Sequence, residues 1–73
     1  MVYKVVFWNP INQIKRVYHF CVTWDSANHC WSLKTSNILF ESERPLYEDP
    51  NSFIRFWAHN YVMPNEYITI KSV

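Results

Sequence analysis

A chain of 73 residues without a single glycine has few ways to reverse direction. Glycine is the residue that enters left-handed turn positions without steric cost, so the reversals here fall to Asn, Asp, Ser and Pro. Two clusters offer themselves: Asn9-Pro10 with Asn12, and Asp25-Ser26-Ala27-Asn28. The same absence removes every glycine-rich phosphate loop, and with it nucleotide binding by those motifs.

The segments between the turns carry strand patterns. Val2 to Trp8 is rich in β-branched and aromatic residues, and Arg16 to Trp24 resumes the pattern after the first turn, which predicts a hairpin. In its second strand Tyr18, Phe20, Val22 and Trp24 alternate with His19, Cys21 and Thr23, so the aromatic face is the expected core face. His29 to Lys34 is expected to return as a third antiparallel strand with Trp31 opposite Val22; an alternative makes Asp25 a helix cap and Ser26 to Leu33 a short helix. From Thr35 to Asp49 the chain is a charged connection interrupted by Ile38-Leu39-Phe40, long enough for a short helix or an extra edge strand. Glu66 to Val73 alternates Tyr67 and Thr69 against Ile68 and Ile70, as a final strand on an open sheet edge would.

Pro50 to Tyr61 reads as a helix. Asp49 is suited to the N-cap, and Pro50 falls at the first helical position, where its missing donor costs nothing. Pro64 blocks continuation. At about 100° per residue Phe53, Ile54, Trp57 and Tyr61 form one stripe, widened by Ala58 and Phe56, so that the apolar arc approaches roughly 200°. Arg55, His59 and Asn60 are left for water. A helix on a sheet needs about half that arc, so the excess is either covered by the preceding loop or forms a subunit or partner interface, with Phe53 toward the sheet and Ile54 and Trp57 at the contact. The expected fold is α+β, a small antiparallel sheet of three to four strands packed by this helix, with a final short strand, in one domain spanning 1–73.

Composition narrows the function. A hydrophobic fraction of 49% with 19% aromatics is far from a disordered chain, yet the apolar runs are too short for a transmembrane span or a signal peptide. A net charge of +1, with Lys4, Lys15, Arg16, Lys34, Arg44, Arg55 and Lys71 scattered, gives no global field toward nucleic acid or membrane. Two cysteines in such a chain are expected as reduced thiols, although a Cys21–Cys30 disulfide is geometrically conceivable, and an intracellular setting follows. His19, Cys21, His29 and Cys30 match no closed zinc spacing, and neighbours His29 and Cys30 point to opposite faces of a strand. A Cys21 nucleophile beside His19 lacks an oxyanion site. Glu41, Glu43, Glu48 and Asp49 read as a solvated acidic run. No metal, cofactor or enzymatic activity is expected.

The element order and certain residues resemble the chromo-like domains, in particular the chromo shadow domain of heterochromatin proteins. Phe20-Cys21-Val22-Thr23-Trp24 is similar to that family's strand ending, and Pro50, Ile54, Phe56 and Trp57 look like its helix positions, with Tyr61 where a Leu is usual. The resemblance, over most of residues 3 to 63, implies a homodimer made helix to helix through Ile54 and Trp57. The whole interface set is then Phe53, Ile54, Trp57 and Tyr61. It also implies an extended partner peptide held by strand addition in a groove near the tails, with Met63, Ile68 and Ile70 as its residues. Met63 stands where the family commonly has a tail Trp, and the 35–49 connection is longer and more charged than usual. A chromodomain proper would cage methyl-lysine with three aromatics; Tyr3 and Trp24 suit two positions, but 25–28 supplies no third. A nuclear location would follow from the resemblance.

Two other classes remain open. The chain also looks like the small proteins viruses and phages use to inhibit a host factor, in which Phe53, Phe56 and Trp57 would anchor on a partner surface in the host cytoplasm. The third is single-stranded nucleic-acid binding by aromatics on an exposed sheet face, against which the scattered charge speaks.

Overall fold

The structure, a computed structural model, describes residues 1–35 and 44–73. Ile38-Leu39-Phe40, Glu41 and Glu43 lie outside the described residues. Among the described residues, strands and a helix follow in the order β1 (Val2–Asn9), β2 (Ile14–Asp25), β3 (Cys30–Thr35), β4 (Arg44–Leu46), α1 (Pro50–Tyr61) and β5 (Tyr67–Ser72). The strands form one antiparallel sheet in the spatial order β4-β3-β2-β1-β5. This is the expected α+β fold: β1 to β4 form the small antiparallel sheet, and the final short strand β5 pairs on its open edge beside β1.

Both hairpin turns solve the glycine problem in the same way. Asn9 Oδ1 accepts from the amides of Ile11 and Asn12, and Gln13 closes the turn at φ 61°. Asp25 Oδ1 accepts from the amides of Ala27 and Asn28, and His29 closes that turn at φ 51°. Each loop is an Asx-headed turn ending in a left-handed residue, the position glycine normally fills. His29 therefore belongs to the turn, and no helix forms over 26–33. Asp25 pairs with Cys30, which sets Trp24 opposite Trp31 and Val22 opposite Leu33. The expected Trp31–Val22 pairing was two residues out of register. A two-residue shift keeps every side chain on its face, so the core assignment survives it.

The helix starts as its sequence dictates: the Asp49 carboxylate accepts from the Ser52 amide at 3.2 Å. Twelve residues rise about 18 Å, close to the roughly 19 Å between the outer strands of a five-stranded sheet. One helix thus carries the chain from the β4 edge to the β5 edge. Its underside meets Val5 and Phe7 of β1, Phe20 and Val22 of β2, Leu33 of β3 and Leu46 of β4, all buried. Trp57 is the hub, with ring centroids 4.9 Å from Phe20, 5.2 Å from Tyr18 and 5.8 Å from Phe7. Trp24 shares this face but lies half-exposed, edge-on to Trp31 at 5.1 Å.

Candidate functional site

The residues expected at a helix-to-helix contact are divided by the structure. Ile54 is 0% and Trp57 3% exposed, both part of the core, so neither is available to a partner while the fold is intact. The correction has a plain cause: a five-stranded sheet with Leu46 on β4 is broad enough to cover both. Phe53 is half-buried against the same core, and Tyr61 is exposed while stacking on Trp57 at 5.1 Å. What the helix presents to solvent is Phe56, 70% exposed, with Arg55, His59 and Asn60. Of the expected groove residues, Ile68 and Ile70 are half-buried on the core side of β5, and Met63 is exposed in the turn beyond the helix. Tyr3, a cage candidate, pairs with Phe20, four residues from Trp24, so the two are about 13 Å apart along the strands.

The cysteines are likewise separated. Cys21 pairs with Lys34 and Cys30 with Asp25, four residues further along β2; both thiols are free, Cys21 exposed and Cys30 buried. That register rules out the conceivable Cys21–Cys30 bridge, since a disulfide spans Cα atoms less than about 7 Å apart. His19 and Cys21 sit exposed on β2, His29 in the turn.

One ion pair ties the helix exit to the sheet. Arg16, on the helix side of β2, donates from Nε to Glu66 Oε2 at 3.0 Å and from Nη2 to Glu66 Oε1 at 2.7 Å. It also donates to the Tyr61 carbonyl and the Tyr18 hydroxyl, both at 3.0 Å, and lies 4.5 Å over the Phe7 ring. Glu66 Oε1 accepts from the Met63 amide as well, at 2.8 Å. The hydrogen bonds from Arg16 hold the Glu66 carboxyl below the usual carboxylate range. This cluster is fully engaged, and it positions the turn into β5.

Among the described residues, no helix lies on the opposite face of the sheet. Alternation along each strand sends Val2, Lys4, Val6 and Trp8 of β1 outward, with Lys15, Val17, His19 and Cys21 of β2, Lys34 of β3, and Tyr67, Thr69 and Lys71 of β5. The register arranges them in rows across the strands. Tyr67, Trp8 and Lys15 form the first; Thr69, Val6 and Val17 the second; Lys71, Lys4 and His19 the third; Val2, Cys21 and Lys34 the fourth. All four lysines of the chain are therefore on one face, and these rows hold no carboxylate. Trp8 is 37% and Tyr67 68% exposed. A shallow depression of about 320 Å³ is lined by Lys4, Val6, Trp8, Lys15, Thr69 and Lys71.

Sequence reasoning missed this surface because the lysines are far apart along the chain; strand parity was the signal that would have gathered them. A slightly larger depression of about 390 Å³ lies at the far hairpin, between residues including Asp25, Trp31, Pro45 and Tyr47. Its one carboxylate is already committed: the Asn28 side chain donates to Asp25 Oδ2 at 2.7 Å and, with the turn amides, holds that carboxyl below its ordinary range.

Among the described residues no helix is long and apolar enough to cross a membrane, and no three His, Cys, Asp or Glu side chains are grouped to hold a metal ion. Comparison of the chain with protein-family models, with curated proteins and with solved structures finds no match.

Proposed function

We propose that this chain is a non-enzymatic binding module whose ligand surface is the open face of the sheet and whose partner presents negative charge. The observation that carries the reading is the gathering of Lys4, Lys15, Lys34 and Lys71 on that face in rows without a carboxylate. Net charge understates such a surface, because the field near a face is set by the charges on it and decays within about 8–10 Å at physiological salt. Among the described acidic residues, Glu66 lies on the helix side, Glu48 and Asp49 precede the helix, and Asp25 ends β2 two rows beyond Cys21 and Lys34. Retention on a heparin column tests the reading. The wild-type chain should be retained at low salt and the Lys15→Glu/Lys71→Glu double variant should not; equal elution of the two would exclude this face as the ligand surface.

A second reading is supported by the sheet edge. β5 pairs with β1 on one side alone, so an extended partner peptide could add a strand along its free edge, with half-buried Ile68 and Ile70 beside the added chain. A proline at an outward-facing amide of β5 would abolish such binding, and unchanged peptide affinity would dismiss it.

A further inference from the structure

The chemistry of the rows identifies the anionic partner more closely, and this step rests on the open face being the ligand surface. Lysines alone would accept any polyanion. Here the first row places two exposed aromatic rings, Trp8 and Tyr67, beside Lys15, and the second places Val6 and Val17 next to them before the Lys4–Lys71–His19 row begins. Cationic rows flanking flat apolar ones suit a ligand whose charged backbone carries planar rings. An acidic peptide would satisfy the lysines but offer the aromatic faces nothing flat. A duplex would offer its phosphates while keeping its base faces stacked away, and among the described residues the face has no helix to enter a groove.

We infer that the open face binds a single strand of nucleic acid running along β1, with bases stacked on Trp8 and Tyr67 and phosphates met by Lys4, Lys15, Lys34 and Lys71. Successive rows are two residues, about 6.7 Å, apart along a strand, comparable with one nucleotide step of an extended chain. Four rows therefore take about four nucleotides, at the small end of site sizes for sheet-based single-strand binders. Recognition is by stacking and charge, so it is tolerant of sequence. Four lysine–phosphate contacts set the salt dependence: the slope of log K against log salt should be about −3, each lysine contributing about −0.7.

The test is a fluorescence-anisotropy titration with end-labelled oligothymidine and oligouridine of eight nucleotides. A duplex of the same length, heparin and a polyglutamate peptide serve as comparators. Wild-type protein should bind the single strands more tightly than the duplex or polyglutamate, with the stated slope. Trp8→Ala, its fold checked by circular dichroism, should weaken single-strand binding roughly 5- to 150-fold, the range for loss of one stacked base, and leave heparin binding unchanged. Lys15→Ala should reduce the slope by about 0.7. Phe56→Ala, exposed on the helix side, should change neither. Heparin binding with equal affinities for single strand and duplex, or with no loss in Trp8→Ala, would overturn the single-strand inference and leave the binding-module reading standing. Failure to bind heparin and oligonucleotides alike would overturn both.

Discussion

Replacing Glu66 by Gln tests whether one ion pair holds the helix exit to the sheet. The Glu66 side chain is 4% exposed and that of Arg16 22%, so the carboxylate is shielded from water and the arginine side chain partly so. The carboxylate accepts two hydrogen bonds from Arg16 and one from the Met63 amide. A hydrogen bond to a charged group contributes about 1.5–3 kcal/mol, and breaking a fully buried pair costs about 3–5 kcal/mol. An amide retains one acceptor for Arg16 and loses the second along with the charge. Partial exposure argues for the lower end, so Glu66→Gln should destabilise the fold by about 2 kcal/mol, equivalent to about 8–16 °C in melting temperature for a domain of this size.

The pH dependence makes that prediction specific. The folded state lowers the Glu66 pKa, chiefly through the hydrogen bond from Arg16, so the stabilisation is fully present above the unfolded value of about 4.3 and is lost as pH falls through the folded value. Urea melts of wild type and Glu66→Gln should differ at pH 7 and converge below the folded pKa, where the wild-type carboxyl is itself neutral. A difference that persists undiminished in acid would show that the variant acts through packing, and would refute the ion-pair account.

Further outcomes follow from the core and the turns. Trp57→Ala should cost about 3–5 kcal/mol and Trp57→Glu should unfold the chain, whereas Phe56→Ala should stay within about 0.5 kcal/mol; thermal melts separate them, and a well-folded Trp57→Glu would contradict the packing described. Gln13→Gly and His29→Gly relieve left-handed non-glycine residues and should each raise stability by about 0.5–1 kcal/mol in the same assay.

How much of this was legible in the sequence depends on what each signal encodes. Period-two alternation in Tyr18 to Trp24 identified the core face, and Asp49-Pro50 with Pro64 bounded the helix, because local sterics and hydrogen bonding decide both. The Trp24–Trp31 register was not legible, since it hinges on His29 accepting a left-handed conformation that glycine would have announced. The burial of Ile54 and Trp57 was not legible either: Glu66 to Val73 reads as an edge strand, but the width of the sheet also depends on β4, a three-residue pairing at the end of the charged connection. The lysine face combines the two cases. Parity of Lys4, Lys15, Lys34 and Lys71 could be read strand by strand, but their meeting within four rows follows only from the pairing of β1 with β2, of β5 with β1 and of β3 with β2.

The four tryptophans supply the most direct measurement of the central claim, because their indole N–H resonances report on separate places. Trp8 lies on the open face, Trp57 beneath the helix, and Trp24 with Trp31 at the far end of the helix side. In a ¹H–¹⁵N titration with oligothymidine, the account predicts that the Trp8 indole shifts progressively while those of Trp57, Trp24 and Trp31 stay in place. A stationary Trp8 with movement of the Trp24 and Trp31 signals would contradict it.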